Sequence, residues 1–349
     1  MLRFRFLLSL VVALAASAAV EAAQSKVYRG AIVIDADSGR VLFEDNADYV
    51  GPPASMTKLM SFLVVKDAIR RGQITSETSA QVSAADAGIG GTQVWLKQGE
   101  TFTIDELLMA MMIQSANDAA HTLARATAGS REAFLALMNE RSRELGLTQT
   151  IWRSPHGLPP TSRQLSESDM TSPREMARLA QVLVSETDIT RFTAIKRAPF
   201  GQTQRAEAVM MSNHNHLVGK VRGVDGLKTG YTRAAGYCLA ATAEREGRRV
   251  IGVIMGSPST KERDVKMAEL IELGFAKPGP LPAASSQPQS PISRATPAGA
   301  SATPEVSPRN DRPVISRAPI AGPVVSPSRA PASPPEDDEE PTVQFKLPK

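Results

Sequence analysis

Ser55 and Lys58 stand three residues apart in the run Ser55-Met56-Thr57-Lys58. On a helix that spacing stacks the two side chains about one turn apart on the same face. A serine hydroxyl is a poor nucleophile until a base takes its proton. A lysine amine becomes that base when burial or a neighbouring cation lowers its pKa. The N-terminus of the same helix would turn backbone N–H groups toward a developing oxyanion. Taken alone the pattern is common: by average composition a chain of this length holds about one, and it describes a capping serine beside a surface lysine equally well. Ser115-Ala116-Asn117 follows the apolar run 107–113. Its hydroxyl and amide can relay a proton and hold a substrate amide, or simply cap a helix. Lys228-Thr229-Gly230 precedes the strand expected at Tyr237. It puts a cation, a hydroxyl and a flexible backbone at a strand edge, suited to a carboxylate or a peptide. About one chain in twenty of this length holds that tripeptide by chance, where it would be a polar strand start.

The three motifs in this order match the penicillin-recognising acyl-serine set. Pro53-Ala54-Ser55-Met56-Thr57-Lys58-Leu59-Met60, Ser115-Ala116-Asn117-Asp118-Ala119-Ala120 and Val224-Asp225-Gly226-Leu227-Lys228-Thr229-Gly230-Tyr231-Thr232 resemble segments of the low-molecular-mass penicillin-binding proteins, the serine-type D-alanyl-D-alanine carboxypeptidases. Ser154-Pro155-His156-Gly157-Leu158 and Met255-Gly256-Ser257 resemble that family too, and the likeness runs in register from Ala31 to Phe275. It implies a β-lactamase/transpeptidase-like fold. It implies Ser55 as the nucleophile, Lys58 as its general base and Ser115 as the group that passes a proton to the leaving D-alanine. Asn117 would hold the substrate amide. Lys228 and Thr229 would receive its carboxylate, with Lys228 also lowering the pKa of Lys58. The backbone N–H groups of Ser55 and Tyr231 would form the oxyanion hole, and Arg263 sits where the family has an arginine that helps to set the carboxylate site. The glycine-rich stretch 86–92 resembles the family's mobile loop beside the site.

The activity so implied is removal of the terminal D-alanine from peptidoglycan stem pentapeptides, with β-lactams as covalent inhibitors and no cofactor. The same motifs serve a D,D-endopeptidase that cuts cross-links. A β-lactamase would need a glutamate placed to activate water, and residues 151–169 offer none with an asparagine partner. An inactive cell-wall binder with this fold would have little reason to keep all of Ser55, Lys58, Ser115, Asn117, Lys228 and Thr229.

The elements that must carry these residues are legible in outline. Apolar stretches 31–34 and 41–43 flank Asp37-Ser38-Gly39-Arg40 and predict a hairpin. Leu59, Phe62, Leu63, Lys66 and Ile69 recur at helical spacing after Ser55, and Gly72 ends the run. Residues 104–128 predict two helices broken near Ser115, and 133–145 another, stopped by Gly146. A helix over 173–184 begins at Pro173 with Thr171 or Ser172 as its cap. Stretches 237–243 and 250–255 predict adjacent strands, and 261–275 a closing helix. Strands at both ends with helices between them argue for a mixed α/β domain. One antiparallel sheet of about five strands would be flanked by helices and carry a mainly helical inserted subdomain.

Three compositional parts bound this domain. Residues 1–23 carry Arg3 and Arg5, then an apolar stretch of about 15 residues, with Val20 and Ala22 fitting the small-residue rule; they predict a signal peptide and export to the periplasm or cell envelope. Residues 24–276 have the texture of a folded catalytic domain. Residues 277–349 hold 17 of the chain's 25 prolines and predict a disordered tail. No window in that tail shows a basic and apolar helical stripe, so the sequence leaves membrane attachment open. A single cysteine, Cys238, excludes an internal disulfide. His214 and His216 alternate as on a strand, but no third ligand stands at recognisable spacing, so no metal is expected. His156 reads as a turn residue and His121 as a satisfied core histidine. A net charge of +4 with 5% aromatics excludes a nucleic-acid partner.

Overall fold

The computed structural model describes residues 27–278. The expected signal peptide, 1–23, and nearly all of the tail, 277–349, lie outside the described residues. The chain divides into two units, Met1–Pro280 and Leu281–Lys349.

The first unit is built on a five-stranded antiparallel sheet. Its strands are β1 (Gly30–Asp35), β2 (Val41–Asp45), β7 (Val224–Thr232), β8 (Gly236–Arg245) and β9 (Arg248–Ser257), in the order β2-β1-β9-β8-β7. The first and last strands of the described residues therefore pair at its centre, Gly30 with Met255 and Asp35 with Val250. β1 is buried along its whole length, which explains its unbroken apolar run. Its two faces meet different helices. Ile32 and Ile34 join the main core, whereas Val33 lies against Gly274 of the closing helix.

Between β2 and β7 lies the helical insertion: α1 (Lys58–Arg70), α2 (Ala84–Ala87), α3 (Ile104–Met109), α4 (Asn117–Ala128), α5 (Arg131–Glu144), α6 (Pro173–Glu186) and α7 (Thr190–Thr193), with α8 (Thr260–Ala276) closing the unit. Serine caps set four starts: Ser83 for α2, Ser130 for α5, Ser172 for α6 and Ser259 for α8, each accepting a backbone N–H three residues on. Two small hairpins, β3 (Ser79–Gln81) with β4 (Thr101–Thr103) and β5 (Arg197–Phe200) with β6 (Val209–Ser212), are additions to the expected elements. α3 does not stop at once. It widens into a π turn over Ala110–Gln114 and ends at Ser115, in the left-handed region at φ +65. Among the described residues no helix is long and apolar enough to cross a membrane.

Candidate active site

A single turn of 3-10 helix, Ala54–Thr57, runs straight into α1. Ser55 lies in that turn and Lys58 opens the helix, so the two face each other at 3.0 Å, Oγ to Nζ. Lys58 is fully buried. Its Nζ also donates to Asn117 Oδ1 at 2.6 Å and to the His156 carbonyl at 2.8 Å. Neither oxygen can donate. A neutral amine has two N–H groups and one lone pair, so these two acceptors consume its hydrogens and leave the lone pair for the Ser55 hydroxyl. Burial, and then the Lys228 ammonium, hold the Lys58 amine well below the usual lysine range, against the opposing pull of Asp118 and Asp169.

The rest of the site positions these groups. His156 presents its carbonyl from the turn 154–157, where Gly157 sits at φ +86 and a Cβ would lie 2.0 Å from the Ala54 carbonyl oxygen. That turn is pinned by Asp169, which is buried and accepts from Arg153 N (2.6 Å), Ser154 N (2.9 Å), Ser154 Oγ (2.7 Å) and Thr57 Oγ1 (2.9 Å). One carboxylate thus ties the nucleophile's turn to the carbonyl that orients its base. Asn117 begins α4. Its amide N–H donates to the Thr92 carbonyl at 2.8 Å and its Nδ2 to the Gly90 carbonyl at 2.9 Å, which sets its Oδ1 toward Lys58. Beneath it, the buried Asp118 accepts from Val94 N and Leu96 N.

The second lysine comes from the sheet. β7 is an edge strand, and it lies close against the nucleophile's turn: a Cβ on Gly230 would meet the Pro53 carbonyl oxygen at 2.5 Å and Ser55 N at 3.0 Å. Lys228 Nζ donates to the Thr229 carbonyl at 3.0 Å. Burial, and secondarily Arg263, push its pKa down to about 7. Tyr231 is 55% exposed, its ring stacked on Tyr237 with centroids 4.2 Å apart. Arg263 is buried on α8, its Nε 2.8 Å from Asp264 Oδ1 and its Nη1 3.5 Å from the Cys238 carbonyl. Much of its charge is answered by Asp264.

The structure therefore joins Ser55, Lys58 and Asn117 in direct contact, puts Lys228 near enough to depress Lys58, and sets Ser115 on the strained residue one position before the loop-to-helix step. His156 does more than turn the chain. Asp169, Asp118 and the anchoring carbonyls escaped sequence reasoning, because a lone acid or a backbone oxygen has no spacing to read. The histidine pair departs from expectation. β6 ends at Ser212, so His214 and His216 follow it in a loop, clamped by the side chains of Asn213 and Asn215. Burial, and then Lys228, lower His214 to about 4, while His216 Nδ1 turns to Asp264 Oδ2 at 3.2 Å. Among the described residues no three metal-binding side chains cluster.

Comparisons with known proteins point to one family. The family model described as D-alanyl-D-alanine carboxypeptidase matches residues 15–259. The chain is 34% identical over 249 residues to D-alanyl-D-alanine carboxypeptidase DacF of Bacillus subtilis, covering 71% of this chain and 62% of that protein. It is 33% identical over 252 residues to DacA of Escherichia coli, covering 70% and 60%. The chain thus spans about three fifths of the length of these relatives. Among solved structures, the D-alanyl-D-alanine carboxypeptidase DacD from Francisella tularensis superposes with a TM-score of 0.67 at 26% identity, covering 72% of this chain and 70% of that one. Penicillin-binding protein D2 from Listeria monocytogenes, in its ampicillin-bound form, superposes with a TM-score of 0.64 at 29% identity, covering 71% and 98%.

Proposed function

The chain belongs to the D-alanyl-D-alanine carboxypeptidase family, and from that premise we propose that it removes the terminal D-alanine of peptidoglycan stem pentapeptides through an ester on Ser55. The observation that carries the reading is the Lys58 amine, buried, with both hydrogens consumed and its lone pair facing Ser55 at 3.0 Å.

The steps follow from that arrangement. Ser55 Oγ attacks the carbonyl carbon of the penultimate D-alanine while its proton passes to Lys58 Nζ. The carbonyl oxygen takes the negative charge between the N–H groups of Ser55 and Tyr231. The C–N bond then breaks. The leaving nitrogen takes a proton from Ser115 Oγ, which recovers one from Lys58, and D-alanine departs. Water adds to the ester carbon with Lys58 again accepting the proton, the bond from that carbon to Ser55 Oγ breaks, and Lys58 returns the proton to Ser55 Oγ as the shortened peptide leaves. Asn117 holds the peptide amide, and Lys228 with Thr229 holds the terminal carboxylate. Arg263 adds a second positive charge to that carboxylate site. A β-lactam ring opens on the same Ser55 and stays as the ester. Residues 24–276 are the catalytic domain of an exported chain whose residues 1–23 are its signal, working in the periplasm or cell envelope.

Mass spectrometry of the signal-free protein tests this. After incubation with a penicillin the Ser55 peptide should gain one adduct, and a pentapeptide should lose a single D-alanine; Ser55→Ala should do neither. An adduct without D-alanine loss, but with cleavage of a cross-linked dimer, would move the assignment to an endopeptidase. An adduct on Ser55→Ala would remove Ser55 from the role.

A further inference from the structure

The loop that orients Asn117 has an unusual anchor. Between Val82 and Val94, both buried apolar residues, the only buried residue is Asp86. The one fully buried side chain of residues 84–92 is thus a charge, with Ala87 only partly buried against the core. Asp86 closes the cap of α2, accepting from Ser83 N at 2.8 Å while Ser83 Oγ accepts from Asp86 N. Its other contacts come from α4. His121 Nδ1 lies 2.7 Å from Asp86 Oδ1, and Arg125 Nε and Nη2 lie 3.2 and 2.7 Å from Oδ2. Arg125 Nη2 also donates to the Gln81 carbonyl. Burial alone would raise this carboxyl, yet the bonds from His121, Arg125 and Ser83 hold it below the usual range.

Asn117, His121 and Arg125 are spaced i, i+4 and i+8 on α4, so they form one stripe on its surface. Every member of that stripe reaches the same segment: Asn117 at the Gly90 and Thr92 carbonyls, His121 and Arg125 at Asp86. We propose that Asp86, gripped by His121 and Arg125, is a positioning residue that fastens loop 86–92 to α4 and thereby aims the Asn117 oxygen at Lys58. The proposal rests on the roles given above to Lys58 and Asn117. The link is mechanical. The Gly90 carbonyl takes the Asn117 NH2 and leaves only the Oδ1 for Lys58. With the loop released, the amide is free to turn its NH2 toward Lys58, an N–H group of the amine loses its acceptor, and the lone pair is no longer directed at Ser55. Loss of His121 or of Arg125 takes one partner from the buried Asp86 carboxylate, so the grip on the loop weakens.

The test compares the acylation rate by a penicillin, and kcat and KM for D-alanine release, in Asp86→Asn, His121→Leu and His121→Asn. All are measured where circular dichroism shows the protein fully folded. Asp86→Asn and His121→Leu should slow acylation about tenfold or more and lower kcat with little change in KM. His121→Asn, whose amide N–H occupies the place of Nδ1–H, should recover most of the rate. A folded Asp86→Asn with the wild-type acylation rate overturns the proposal. So does a His121→Asn variant as slow as His121→Leu, and that pair decides the matter if Asp86→Asn does not fold. Failure of the wild-type protein to form an adduct on Ser55 would defeat the function assigned above instead, and is read in the same experiment.

Discussion

At the scale of single residues the site turns on two buried lysines. Lys58 needs to be neutral to accept a proton, whereas Lys228 needs its charge to draw a carboxylate. The arrangement separates their duties: Lys58 has two acceptors and a close cation, while Lys228 rests at about 7, burial and Arg263 having pushed it down from 10.5. The sign is direct. Below about 7 Lys228 is charged and attracts the substrate carboxylate; above it that attraction is lost. KM for a peptide ending in D-alanyl-D-alanine should therefore rise as pH is carried from 6 to 9. Titration of KM in Lys228→Arg, which stays charged throughout, should show no such rise; a KM in the wild type that is flat with pH would refute the role. The same depression has a counterpart in stability. Between about 7 and 10.5 the unfolded chain binds a proton at Lys228 that the folded one has released, so this residue makes folding more favourable as pH rises through that window.

At the scale of elements, the site is a meeting of turns, each fixed by one tight contact. The turn at 154–157 is the most demanding. Gly157→Ala would drive a methyl into the Ala54 carbonyl at a backbone angle that L side chains rarely adopt. It should lower stability by about 1–3 kcal/mol and also slow acylation in the folded protein, because the Ala54 carbonyl belongs to the nucleophile's own turn. Thermal unfolding together with the acylation rate separates the two losses, and a variant that unfolds earlier but acylates normally would show the turn to be only scaffolding. Much of this framework was legible beforehand. The β1–β2 hairpin, α1, α5, α6 and α8 announced themselves through apolar period and serine or glycine ends, and the break at Ser115 through small polar residues after an apolar run. β3 to β6 did not, since strands of three or four residues carry too few alternations to show a period. Ser55, Lys58 and Lys228 could be singled out as candidates because their motifs, each weak or modest alone, stand in the order that the family resemblance requires. Asp169 could not: its partners lie at Thr57 and at 153–154, and only folding brings them to it.

At the scale of the whole molecule, the first unit is locked at its end. Arg248 Nη1 donates to the Phe275 carbonyl at 3.2 Å and the Lys277 carbonyl at 2.7 Å, and Arg40 donates to the Pro278 carbonyl. A chain ending at residue 280 should keep the acylation rate and melting temperature of the full chain, whereas one ending at 276 should melt about 2–4 °C lower for a loss of about 1 kcal/mol. Calorimetry of the two truncations measures this, and a full chain that outperforms the 280-residue one would give the tail a larger part. The sheet itself has a consequence in time. Its central pairing joins β1 to β9, more than 200 residues later in the chain. At a synthesis rate of about 5–20 residues per second, β1 waits on the order of ten seconds or more for its partner. Throughout that interval the chain can form isolated helical turns but no completed sheet. A protein proposed to be threaded across a membrane gains from such a delay: it stays a pliable strand until its last helix is made, and closes only afterwards.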